Sequence, residues 1–364
     1  MLPARPWRSI LLYESFQTEL MSTTTDSATD SALETRHQLL GATRPYQEPS
    51  MRRSLLELLT SLAPYFALLV TMWLLADISP WLALVLAPPA AGFFVRSFIL
   101  FHDATHGSLF SSRRLNDAVG AVIGAITLTP FRAWRSSHAR HHATAGDLDR
   151  RGHGDFPTMT VEEYRSSSRW NRIVYRFFRH PLVFLLLGTA NFLIMSRLWT
   201  RQTGPRERRS IILTNIAVVG LTAGGILLLG LPKYLLIQLS VYAIASAGGV
   251  WLFYVQHQYE GVYWARSSKW DFVAAAIDGS SYYKLPRLLQ FFSGNIGFHH
   301  IHHLNPRVPN YYLERCHGQH PDFAKVKVFT LWESLKSLPL RLFDEESGRM
   351  VGFRHLRAAS AAGT

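Results

Sequence analysis

Apolar residues in this chain gather in long blocks and do not alternate with polar ones. Residues 55–76, 81–101, 182–199, 211–231 and 234–255 are each about long enough to cover a hydrocarbon core of roughly 30 Å as a helix. The links between the blocks decide which of them cross. Residues 77–80 alone separate the first two, and that link has no Lys or Arg, so the pair predicts a hairpin with its turn facing outward. Arg201, Arg206, Arg208 and Arg209 precede residue 211, whereas only Lys233 lies in the next link, so 211–231 and 234–255 make a second hairpin of the same orientation. The block 182–199, bracketed by Arg179, Arg197 and Arg201, is expected to lie along the inner interface. A shorter block over 115–131 reads as re-entrant or interfacial. The expected fold is an all-α integral membrane protein with four transmembrane helices in two hairpins plus interfacial helices. Pro64, Pro88 and Pro89 should kink the first hairpin, and Arg96 should snorkel to the inner surface.

Outside the blocks the pattern is weaker. Residues 1–50 read as disordered: the Ser/Thr/Asp run over 21–31 has no period, and the apolar stretch over 10–12 is too short for a signal-peptide core. Met21 is an alternative start. From Phe323 onward, Leu331, Trp332, Leu335, Leu338, Leu340, Leu342 and Phe343 stand among Lys and Glu and suggest an amphipathic helix. The domain expected to carry the activity runs over 51–355, with a tail at 356–364.

Composition agrees with burial in lipid. Of 364 residues 48% are hydrophobic and only 17% charged, below the roughly 25% of soluble domains. The formal charge of +13 favours anionic lipid or an acidic soluble partner. No basic face stands apart from the membrane-flanking segments, which argues against nucleic acid as a partner. A single cysteine, Cys316, rules out an intramolecular disulfide and any CxxC pair. There is no strand-linked GxGxxG, so bound NAD, flavin or iron–sulfur clusters are not expected. The inner membrane, with the site on the reducing cytoplasmic side, is the expected location.

The chemistry lies in the histidines, nine of which fall in three short boxes: His102 and His106; His138, His141 and His142; and His299, His300, His302 and His303. On a helix, positions i and i+4 lie one above the other and i+3 lies close beside them. HxxxH therefore presents two imidazoles on one face, and HxxHH presents three. Such a fan can converge on a metal, and neutral imidazole suits Zn, Cu, Fe and Ni. Eight nitrogen donors are too many for one ion, so two ions with about four protein ligands each are the natural division. His300 is rotated by about 100° from His299 and points out of the fan. The hairpin assignment brings Gln256 and His257 to the level of the boxes, making His257 a ninth candidate. Asp103, Asp149, Asp155, Glu260 and Asn295 are candidates to orient ligand rings. His37, His153, His180, His317, His320 and His355 read as solvated or interfacial. A metal transporter would also join histidines to membrane spans, but it would bind near the midplane, whereas each box here begins at or beyond the basic end of a span.

These boxes, separated by hydrophobic hairpins, resemble those of the membrane fatty-acid desaturase superfamily. The runs Arg140-His141-His142-Ala143-Thr144-Ala145-Gly146-Asp147, Phe253-Tyr254-Val255-Gln256-His257-Gln258-Tyr259-Glu260 and Gly294-Asn295-Ile296-Gly297-Phe298 are similar to its bacterial and cyanobacterial acyl-lipid Δ12/ω6-type branch. The resemblance covers about residues 45–355. It implies a cytoplasmic diiron cap whose ligands are His102, His106, His138, His141, His142, His299, His302 and His303, with His257 as the extra histidine after the last span. It further implies O2 as co-substrate, a membrane lipid acyl chain as substrate, and an external electron donor, in this branch usually a ferredoxin. Many branch members carry Cys-Gly where this chain has Ala104-Thr105, a departure that leaves the ligand spacing intact. Hydroxylation or ketolation of a lipid or carotenoid on the same frame is the alternative reaction.

Overall fold

The computed structural model describes residues 27–356 apart from positions 153 and 202; the start of the expected N-terminal disorder, the alternative start Met21, His153 and the tail from 357 lie outside the described residues. Two compact units divide the chain, Met1–Ala42 and Thr43–Thr364. Helix α1 (Ser27–Thr43) stands where the polar pattern predicts no regular structure. Its Ala32, Leu33, Glu34, Gln38, Leu39 and Leu40 are strong helix formers, and their propensity outweighs the Ser/Thr/Asp composition before them.

The second unit is built on long helices. Ser50 caps α2 (Met51–Ala76) by accepting the Arg53 N–H. A short α3 (Pro80–Val85) leads to α4 (Ala87–His106), and later α10 (Pro205–Leu229) and α11 (Leu231–His257) form a hairpin turned at Gly230, whose φ is +75°. Three described helices, α2, α10 and α11, are long and apolar enough to cross a membrane. The crossing expected over 81–101 differs: it is divided at Leu86 into α3 and α4, because Pro88 and Pro89 remove two backbone donors and restart the helix at its first turn. Leu55, Leu59, Phe66, Val70 and Leu74 on α2, and Ile216, Val219, Leu227 and Leu228 on α10, are exposed side by side. Apolar surface so continuous fits lipid, not water.

The helices meet through small residues. Ala87, Ala90 and Ala91 of α4 pack with Tyr65 and Met72 of α2 and with Ile237, Val241 and Ala245 of α11, the close approach that replaces a hydrophobic driving force inside lipid. Lys233 pairs with Asp77, so the links of both hairpins lie at one end, as the charge pattern predicts. The histidines gather at the other. Arg96 departs from expectation: its guanidinium is buried, bonded to Glu57 of α2 and to the Phe291 carbonyl. A carboxylate at the same depth makes snorkelling unnecessary.

Shorter helices place the boxes. Helix α5 (Arg113–Ile126) has 14 residues and reaches about 21 Å, short of a crossing, so it returns the chain on the side it left. It feeds α6 (Phe131–Thr144), which carries the second box. After α7 (Val161–Ser166), α8 (Arg169–Phe178) and α9 (Pro181–Leu193) meet at a 75° bend and reach span length only together. Beyond α11 come α12 (Phe272–Ile277), α13 (Arg287–Phe292), α14 (His299–Leu304) with the third box, and α15 (Asn310–His317).

The C-terminal region overturns the amphipathic helix expected from Phe323. It runs instead as 3-10 turns over Pro321–Lys325 and Glu333–Ser337 with short strands between and after them. Strand β1 (Met159–Thr160) pairs in parallel with β4 (Leu342–Asp344), which turns back on β5 (Arg349–Val351), while β2 (Tyr282–Lys284) pairs with β3 (Val328–Thr330). Pro339 interrupts any helix there. Val328-Phe329-Thr330 alternates exposed, buried, exposed, the period of a strand.

One backbone approach tests this packing. The Tyr283 N–H donates to the Gly297 carbonyl at 2.8 Å, and a Cβ added at Gly297 would fall 2.4 Å from the Tyr283 oxygen. Gly297→Ala should therefore destabilise the fold by about 1–3 kcal/mol, whereas Gly220→Ala, with open space around it, should be neutral or stabilising. Thermal unfolding midpoints in detergent check this, and equal midpoints for the two variants would contradict it.

Candidate metal centre

Each box is delivered by a helix end. His102 and His106 occupy the last turn of α4, which Gly107 closes in the left-handed conformation with a φ of +71°. His138, His141 and His142 lie on the last two turns of α6. A turn through Gly294 and Asn295, both at positive φ, swings the chain into the six-residue α14. His257 is the last residue of α11. All nine candidate residues converge. His102, His141, His257, His299, His302 and His303 are buried, and His106, His138 and His142 are half-buried.

The ring nitrogens form two groups. Those of His102, His106, His138, His142 and His302 lie within 4.8 Å of one another, as do those of His141, His257 and His303. His299 joins the second group, its Nε2 standing 3.0 Å from that of His257 and 3.1 Å from that of His303. In the first group the Nε2 atoms of His102, His138, His142 and His302 follow one another at 3.0, 3.1 and 3.0 Å.

Hydrogen bonds cannot satisfy this crowd. A neutral imidazole nitrogen holds either a proton or a lone pair, yet the Nε2 atoms of His138, His142 and His299 each face two others. Tautomers tighten the constraint. His257 Nδ1 donates to the Gly279 carbonyl at 3.0 Å, and His141 Nδ1 faces the Asp155 carboxylate at 3.0 Å, so both residues turn a bare Nε2 inward, and that of His141 has no partner. Bare lone pairs in contact repel unless a cation sits among them. With metal–imidazole bonds of about 2.1 Å, neighbouring ligands at right angles stand about 3.0 Å apart. The residues fit metal ions.

Electrostatics agree. Burial holds His299, His302 and His303 well below the ordinary imidazole range, and the neighbouring rings push them further. These rings are neutral and poor bases, the form in which an imidazole can offer a lone pair to a metal. Asp103 lies 3.5 Å from His102 Nδ1 and accepts the Asn310 N–H at 2.8 Å, so box one is tied to the segment after box three.

Asp103 and Asp155 thus stand beside the rings of His102 and His141. The other three candidates do not: Asp149 is engaged by Arg266 and Ser267, Glu260 is exposed, and Asn295 bonds Gln290 and the Asn310 carbonyl. His300 points away, its Nε2 3.0 Å from His317 Nδ1. Sequence reasoning missed the Gly279 carbonyl, and it missed Trp134, stacked on His138 at 4.2 Å. Trp134 could have been found, since it lies one helical turn before His138; a backbone carbonyl leaves no sequence signal.

Apolar membrane helices ending in two histidine clusters able to hold metal define a class, the histidine-box membrane oxidoreductases. The fatty acid desaturase family model matches residues 79–334, and the chain belongs to that family, whose members desaturate fatty acyl chains. It is 43% identical to a fatty acid desaturase of Bacillus subtilis, over 88% of this chain and 91% of that one. It is 26% identical to the sn-1 oleoyl-lipid 12-desaturase of Synechocystis, over 69% of this chain and 73% of that one. Against the chloroplastic sn-2 acyl-lipid omega-3 desaturase (ferredoxin) of Arabidopsis thaliana it is 28% identical over 59% of its length, spanning half of that relative.

Neutral buried histidines make the metal-stripped protein acid-sensitive. Below about pH 6.5 the unfolded chain takes up protons that folded His299, His302 and His303 refuse, so stability present above that pH is lost as pH falls, by up to about 1.4 kcal/mol per histidine and pH unit. Unfolding midpoints of chelator-treated protein should drop steeply between pH 7.5 and 5.5. A flat profile would contradict neutral rings.

Proposed function

We propose that this chain places a cis double bond in a membrane lipid acyl chain at the Δ12/ω6 position, using two iron ions, O2 and electrons from an external ferredoxin, on the cytoplasmic side of the inner membrane. The observation that carries the reading is the pair of nitrogen clusters at the ends of apolar helices. His102, His106, His138, His142 and His302 would hold one iron, and His141, His257, His299 and His303 the other. An unactivated C–H bond offers no handle to an acid, a base or a side-chain nucleophile, so a redox metal is required, and zinc, which has no redox chemistry, does not serve. When bound, reduced iron with O2 supplies the hydrogen-abstracting power. The chain's own part is position. Asp155 and the Gly279 carbonyl fix the tautomers of His141 and His257, and Trp134 and Phe253 shield the rings of His138 and His141.

Several observations support the finer points. The Synechocystis relative acts, by its name, on oleoyl lipid at position 12, and the flanks of boxes two and three resemble that branch. The Arabidopsis relative's name records ferredoxin, and a formal charge of +13 suits an acidic carrier. The basic segments before residues 55 and 211 support a cytoplasmic face for the boxes by the positive-inside bias.

Metal analysis after iron-replete expression should find about two irons per chain, as expected for nine ligands divided between two sites; one or none would sink the diiron reading. Lipid profiling in a host lacking polyunsaturated lipids should show a new cis bond at Δ12. An ω3 bond would correct the position, and a hydroxylated acyl chain would correct the reaction.

His257 and His300 separate ligand from neighbour. His257→Ala should abolish desaturation and deplete one iron. His300→Ala should keep both irons and lower turnover by about 10- to 100-fold, as loss of a residue behind the ligands does. Full iron occupancy in His257→Ala together with metal loss in His300→Ala would reverse the assignment.

A further inference from the structure

One partly buried contact beside the clusters is not accounted for by metal ligation. His300 follows His299 directly in the chain, is fully buried, and bonds through Nε2 to His317 Nδ1 at 3.0 Å. His317 ends α15, half-buried, its ring 5.0 Å from that of Tyr282 and 5.2 Å from that of Phe298. The side chains and backbone of two adjacent residues and one hydrogen bond thus join the second cluster to a half-buried ring near the protein surface.

The rim of that surface is basic. Lys284 is exposed on β2, two positions from Tyr282 and so on the same face of the strand. Lys327, also exposed, accepts the Tyr282 N–H through its carbonyl at 2.9 Å. Arg287 opens α13 and is exposed, and its guanidinium engages at 2.7 Å the carboxylate of Glu314, which stands one residue short of a full turn before His317. Four exposed cations, Lys284, Lys327, Lys336 and Arg287, thus outnumber the two carboxylates among them, Glu314 and Glu333.

We propose that an acidic one-electron carrier docks on this rim and that its electrons pass through His317 and His300 to the second histidine cluster. The proposal rests on the reading that the electrons come from a separate protein. Tunnelling decays more slowly through bonds and hydrogen bonds than across a gap, and the hydrogen-bonded imidazole pair offers such a route. Each passage oxidises the carrier by one electron. Two electrons, two protons from solvent and one O2 take the two hydrogens from adjacent methylenes, and the four hydrogens leave as two waters while the C=C bond forms.

The test uses the full iron-loaded protein in nanodiscs with a plant-type ferredoxin, reduced with dithionite and freed of excess reductant. His317→Phe keeps the ring packing and removes the hydrogen bond; His317→Gln keeps the bond. His317→Phe should retain iron and ferredoxin affinity but slow ferredoxin oxidation within the complex by about tenfold or more, and His317→Gln should recover most of that rate. Lys284→Glu with Lys327→Glu should raise the Kd for ferredoxin by about tenfold or more and weaken its salt dependence. Wild-type oxidation rates in His317→Phe, or wild-type affinity in the double reversal, would overturn the site. So would iron loss in His317→Phe with iron intact in His317→Gln, which would mark the pair as structural. Wild-type protein that oxidises neither ferredoxin nor flavodoxin would instead overturn the external-carrier reading on which the site depends.

Discussion

Crowding of imidazole nitrogens is the constraint on which this molecule depends. Five ring nitrogens in one group and three in the other lie within 4.8 Å of one another, His299 adds contacts of 3.0 and 3.1 Å to the second, and the Nε2 atoms of His141 and His257 have no proton to share. Without cations that arrangement is repulsive and largely buried at once. The membrane helices explain how the arrangement is built. Their hairpin links are tied together at one end by Asp77 and Lys233, and the alanine face of α4 draws α2 and α11 close, so the opposite helix ends arrive in register.

Box two shows how the clusters relate. His138 and His142, a full turn apart on α6, serve one group, while His141 between them serves the other. Box three divides in the same way, His302 going to the first group and His299 and His303 to the second. Neither α6 nor α14 can shift without disturbing both groups. Desolvation and mutual repulsion of these rings then keep them neutral, the form a metal requires.

Much of this was legible in the sequence, because helical spacing and membrane-spanning length are both periodic signals. The three boxes, the position of His257 at the end of α11 and the outward turn of His300 follow from 3.6 residues per turn and from the distribution of Arg and Lys. What was not legible depended on partners distant in the chain. Arg96 reads as snorkelling until Glu57 is placed beside it. The segment after Phe323 reads as a helix until Tyr282–Lys284 and Met159–Thr160 supply strand partners. Ser27–Thr43 reads as loose because capping-type residues hide the helix formers that follow. The two nitrogen groups could be counted from spacing, but their membership could not, since it depends on how α6 and α14 cross.

The order of these segments along the chain has a consequence for how the protein is made. His102 and the whole of box three are separated by both halves of the second hairpin, and α14 follows the last membrane helix. Neither nitrogen group is complete until every helix has been inserted and the C-terminal region has folded back to meet α4. Any metal these groups hold would therefore be loaded last in biogenesis, and a chain stalled before residue 299 would sit in the membrane as a threaded scaffold without either group.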